Sequence, residues 1–191
     1  MSKGRLEAFS DGVIAILITI MVLELKVPRG TDAAALRPLV PVFLAYVLSF
    51  VFLGIYWNNH HHMVQMADRI NGKILWANLH LLFWLSLVPV ATAWMGEYHA
   101  APLPTAVYGG VLLLSGIAYV ILQQTIIAHQ GPQSRLAAAV GRDVKGKLST
   151  TLYALAIPLA FVHQPISIAV YVFVTLMWLV PDRRIESQLN R

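Results

Sequence analysis

Four stretches of this chain, residues 38–67, 74–96, 98–134 and 148–181, contain no Asp, Glu, Lys or Arg. Each is longer than the roughly 20 apolar residues a helix needs to cross the hydrocarbon core of a bilayer. Composition points the same way. Of 191 residues, 58% are hydrophobic and only 12% charged, about half the charge of an ordinary soluble domain, and mean hydropathy is +0.66. An all-α integral membrane protein is therefore expected, and a water-soluble fold is disfavoured.

The chain has no cysteine, which excludes a disulfide framework and a thiolate metal site. Its net charge of +5 sits beside the hydrophobic blocks, where Lys and Arg read as topology determinants rather than as a nucleic-acid surface. Lys3 and Arg5 followed by an apolar run resemble the start of a signal peptide. However, Asp11 interrupts that run, and Glu24-Leu25-Lys26 closes it without a small-residue cleavage site, so a retained helix is expected.

Breaker residues divide the chain into six membrane-spanning helices within a single domain, residues 1–191. The first runs from about Arg5 to Leu25 and stops before Pro28-Arg29-Gly30. The second covers Leu36 to Trp57 and extends as a polar helix through His62 toward Arg69, before the Asn71-Gly72 break. The third spans Lys73 to Trp94 with a kink at Pro89, and the fourth spans Thr105 to Ala128. A basic linker over residues 130–147, with an amphipathic piece at Leu136 to Val140, leads to a fifth helix, Leu148 to Phe161, containing Pro158. The sixth runs from Pro165 to Val180. Eleven basic residues (Lys3, Arg5, Arg69, Lys73, Arg135, Arg142, Lys145, Lys147, Arg183, Arg184, Arg191) fall on the side of the N-terminus, against Lys26, Arg29 and Arg37 on the other. That asymmetry predicts cytoplasmic N- and C-termini.

The first helix holds the informative residues. Charge within a membrane span is costly and belongs against protein or water, yet Arg5, Glu7 and Asp11 fall within one span together with Ser10. At 100° per residue, Gly12, Ile20 and Leu23 lie within about 40° of Ile16, with Thr19 at about 60°. Arg5 and Phe9 fall near the same line, while Asp11 and Ser10 point about 140° and 120° away. Six residues separate Arg5 from Asp11, so they cannot pair along one helix, and Asp11 needs a partner on another. The uncharged stripe Ile16, Thr19, Ile20, Leu23 either packs against a neighbour or lines a pore. Ser10 and Asp11 read as an interhelical hydrogen-bond clasp.

The segment Arg5-x-x-x-Phe9-Ser10-Asp11-Gly12, continued by Val13 to Thr19 and closed by Val22-Leu23-Glu24-Leu25, resembles the signature of the transmembrane protein 175 potassium channel family, in its single-repeat prokaryotic members. The likeness extends to Trp57-Asn58-x-His60-His61, to Leu85-Ser86-Leu87 and to Pro89. It implies a homotetramer in the prokaryotic plasma membrane, permeable to potassium ions, with four first helices around a central pore. It also implies that Ile16 forms the main constriction, with Thr19 one turn further out and Ile20 and Leu23 as later rings. There is no Thr-Val-Gly-Tyr-Gly run, so selectivity would come from side-chain rings on the first helix. An Ile16 ring would make ions shed water, and potassium holds its water less tightly than sodium.

Three consecutive residues on a helix diverge by about 100° each, so His60-His61-His62 is not expected to converge on a metal. One of these histidines, with His61 as the candidate, is expected to reach the Ser10–Asp11 cluster. Asn58, Asn78 and His80, with Arg5 and Phe9 of the motif, complete that candidate polar network. Trp57, Trp76, Trp94 and Trp178 near span ends read as interfacial anchors. Gly109-Gly110 and Gly116 read as points of close helix approach. No nucleophile elbow, Walker loop or histidine pair on one helix face points to an enzyme or a cofactor. A secondary or proton-coupled transporter is the competing class. It would call for matching broken helices in two halves, and no convincing repeat is present.

Overall fold

The computed structural model describes residues 2–141 and 143–179, and among these every regular element is helical. In order they are α1 (Lys3–Ile20), 3-10 turns at Met21–Glu24 and Ala33–Leu39, and α2 (Val40–Gln65). Then come α3 (Gly72–Ser86), α4 (Val88–Glu97), α5 (Pro102–Gln130), α6 (Arg135–Val140) and α7 (Val144–Leu179). Five segments are long and apolar enough to cross a membrane: Lys3–Glu24, Ala33–Gln65, Gly72–Glu97, Pro102–Gln130 and Val144–Leu179.

The last of these doubles back on itself. Residues Ser149 and Trp178 would sit about 43 Å apart along an unbroken helix, yet Trp178 Nε1 donates to Ser149 Oγ at 2.8 Å. Nearer the bend, Ser167 Oγ donates to the Ala156 carbonyl at 2.8 Å. The reversal falls at His163, whose φ of −152° and ψ of 78° leave the helical region. Pro165 follows two residues later, with no N–H for the preceding turn. α7 is thus a hairpin of two helical arms, residues 144–162 and 164–179. The first arm stays helical through Pro158, forgoing one backbone hydrogen bond.

The third segment breaks at Leu87, between α3 and α4. Pro89 stands in the first turn of α4, where its missing N–H costs least. The first span ends at Glu24, beside the expected Leu25, but from Met21 it tightens into a 3-10 turn. Met1, Arg142 and residues 180–191 lie outside the described residues, and with them Arg183, Arg184, Arg191 and the end of the sixth helix.

Cross-links identify which ends lie together. Lys3 Nζ donates to the Gln65 carbonyl at 2.8 Å, and Gln130 Nε2 to the Met66 carbonyl at 3.1 Å. At the other end, Lys26 pairs with Glu97 at 3.0 Å and Gln164 Nε2 bonds Thr105 Oγ1 at 2.8 Å. The chain therefore runs up and down, with the N-terminus, the α2–α3 connection and the end of α5 on one side.

Because lipid tails are as apolar as leucine, packing and interhelical hydrogen bonds must hold such a bundle together. Ile14, Leu53, Leu81, Leu85, Leu112 and Leu122 are fully buried between helices. Ser49 of α2 accepts from Thr92 of α4 at 2.6 Å and bonds Tyr108 of α5 at 2.9 Å. Gly109 lets α5 approach the second arm of α7: a Cβ there would collide with the Tyr171 ring and hydroxyl. Gly110 and Gly116 face no comparable contact.

Candidate functional site on the first helix

α1 has two faces. Leu6, Ser10, Ile14 and Leu17 are buried, and they fall within an arc of about 80°. That face packs on α2 and α3. The other face is bare in the single chain. Ile16 is 59% exposed and Leu23 79%, and Arg5, Phe9, Gly12, Thr19 and Ile20 are exposed with them. Thr19 Oγ1 donates to the Ile16 carbonyl at 2.9 Å, so its proton is used within the helix and the exposed oxygen keeps only acceptor capacity.

A line of buried hydrogen bonds ties α1 to its neighbours. Asn78 Nδ2 of α3 donates to Ser10 Oγ at 2.9 Å, and Ser10 passes its own proton to the Leu6 carbonyl at 2.9 Å. His60 Nε2 of α2 meets Asn78 Oδ1 at 2.7 Å. Since Oδ1 only accepts, Nε2 is the donor. Ser10, His60 and Asn78 have no exposed surface, so three helices share one directed chain of donors.

A second cluster lies beside it, nearer the surface. Trp57 Nε1 donates to Asp11 Oδ1 at 3.0 Å, so the partner of Asp11 is on another helix and is neutral. His61 Nδ1 meets Glu7 Oε1 at 2.7 Å, and Gln65 Nε2 donates to His61 Nε2 at 2.8 Å. The Trp57 and His61 rings stack, with centroids 6.3 Å apart.

Only some of the residues singled out from sequence thus come together in the two clusters. Ser10 and Asn78 share the buried line, which His60 enters from α2. Asp11 and His61 share the second cluster. His80 lies apart, exposed on α3 and accepting from Trp84 at 2.9 Å. Asn58 has no side-chain hydrogen bond among the described residues, and Arg5 and Phe9 lie on the bare face. Glu7, Trp57 and Gln65 are participants that sequence reasoning missed. The signal for Glu7 was present, since it stands one turn before Asp11 on the same face.

The bundle and the two-faced first helix define a multi-pass membrane protein with a polar clasp inside its N-terminal span. A family model described as endosomal/lysosomal potassium channel TMEM175 matches residues 5–89, which hold both clusters. The whole chain is 56% identical to a potassium channel of Chryseobacterium sp. (strain P1-3), over 99% of that protein. It is 34% identical over 88% of its length to a potassium channel of Streptomyces collinus, covering 87% of the latter. Among solved structures, a lysosomal potassium-selective channel TMEM175 homolog from Chamaesiphon minutus superposes with a TM-score of 0.81. That match has 29% identity and covers 94% of this chain and 97% of that one. The chain belongs to the TMEM175 family.

Proposed function

We propose that this protein is a potassium-preferring channel of the prokaryotic plasma membrane, one six-helix domain per subunit, assembled as a homotetramer around four copies of α1. The observation that carries the reading is the bare stripe Ile16, Thr19 and Ile20 on α1, continued by Leu23 in the 3-10 turn that follows, with the opposite face of the helix buried. Its carboxylates are turned aside and engaged by Trp57 and His61. An apolar stripe with no formal charge at membrane depth suits a hydrophobic constriction that gates by dewetting.

In this scheme the Ile16 ring is the narrowest point and sets a barrier by hydration cost, which favours potassium over sodium. Thr19 oxygens, one turn on, replace part of the lost water. Splaying or rotating α1 widens the ring. The buried line through Ser10, Asn78 and His60 anchors the helix against which that motion occurs, and membrane lipid covers the outer faces. Potassium-gradient flux into liposomes from purified protein tests the reading. Ile16→Asn is expected to raise flux and to move the potassium/sodium reversal potential toward zero. Unchanged flux and reversal potential in that variant would overturn the constriction. Turnover below about a thousand ions per second would favour a carrier, whose conformational steps take microseconds to milliseconds.

A further inference from the structure

We infer that Glu7, Asp11 and His61 form a binding site for a divalent first-row transition cation, which would fasten α1 to α2 at the end carrying the N-terminus. Glu7 and Asp11 are one turn apart on α1, so both carboxylates project from one face. Like charges at that spacing repel, and neither has a Lys or Arg partner among the described residues. The nearby Lys3 is committed to the Gln65 carbonyl. His61 comes in from α2, and one ligand atom from each of the three residues lies within 4.8 Å of the other two.

Two carboxylates and an imidazole suit manganese, iron, cobalt or zinc, whereas calcium and magnesium favour all-oxygen sites and copper(I) favours sulfur. Ligand atoms around a four-coordinate ion of this size stand about 3.3 Å apart, within reach of small side-chain rotations from the present positions. The outer contacts such sites use are already in place. Trp57 Nε1–H donates to Asp11, and Gln65 holds the far nitrogen of His61. When the ion takes Nδ1, the ring proton moves to Nε2 and the Gln65 amide turns its oxygen to accept it. A fourth position stays open to water.

Binding does not depend on the channel reading, whereas its effect on flux does. The test uses the tag-free full chain, stripped of metal and titrated with cobalt(II). One equivalent per chain should give the visible bands of a low-coordinate nitrogen–oxygen site, displaced by zinc and not by magnesium. Glu7→Gln and His61→Gln should each weaken binding at least about tenfold, and Glu7→His should retain it. A wild-type spectrum without such bands, or bands unchanged in both weakening variants, would overturn the site whether or not the variants fold well. In liposomes, zinc on the N-terminal side should lower potassium flux in wild type and leave Glu7→Gln flux unchanged. Bands with no effect of zinc on flux would overturn the fastening while leaving the site. Absence of any flux would count against the channel reading alone.

Discussion

Replacing Asn78 with leucine separates the contribution of the buried line from that of ordinary packing. Asn78 is fully buried, donates to Ser10 at 2.9 Å and accepts from His60 at 2.7 Å. Leucine keeps the branched skeleton and replaces the two polar atoms with somewhat larger methyl groups, so no cavity forms and any steric cost is one of overpacking. Two interhelical hydrogen bonds are lost, each about 0.6 kcal/mol on average within a membrane bundle. More is lost through the His60 Nε2–H, which is left buried without a partner at a cost of about 1–3 kcal/mol. The expected loss is therefore about 2–4 kcal/mol. His60→Phe alone should cost a similar amount, since it orphans the Asn78 oxygen. The double variant removes both polar groups and should cost less than the sum by about 1–2 kcal/mol. Unfolding of the purified protein in mixed micelles, titrated with denaturing detergent, measures all three. Additivity within about 0.5 kcal/mol would refute the claim that these side chains depend on each other.

Thr19→Val, which keeps the shape and removes the exposed acceptor oxygen, should reduce the preference for potassium over sodium while leaving assembly unchanged; bi-ionic reversal potentials and native mass measurement check this. Gly109→Ala should lower the melting temperature by several degrees, because its methyl would collide with Tyr171, and Tyr171→Leu in the same background should recover part of the loss. Trp178→Phe removes the bond to Ser149 that closes the α7 hairpin; hydrogen exchange should speed up in residues 144–153 and stay unchanged in α1.

Much of the architecture was legible because its causes are local. Uncharged runs mark spans, and the Asn71-Gly72 break marks the start of α3 where the structure has it, whereas α5 begins at Pro102, three residues before the expected Thr105. The faces of α1 followed from helical angle alone, which is why Ser10 falls on the buried arc and Ile16 on the bare one. What could not be read depends on how one helix is rotated against another. His60 and His61 differ by about 100° around α2, and only the placement of α3 and α1 sends the first to Asn78 and the second to Glu7. His80 failed as a member of the network for the same reason, since two residues carry it about 200° round α3 from Asn78. The first span ends at Glu24, beside the expected Leu25, but its tightening to a 3-10 turn from Met21 has no composition signal. The reversal at His163 was visible as a gap before Pro165, but the residue that leaves the helix was not.

The hydroxyl of Thr19 has a further consequence if four such helices meet. With its hydrogen occupied by the Ile16 carbonyl, each oxygen can receive but not give, and a ring of four becomes a collar of partial negative charge without a single ionised group. Chloride would meet no donor there and be turned away. A sieve of this kind sorts ions by sign as well as by size, and needs no acidic residue in the pathway to do so.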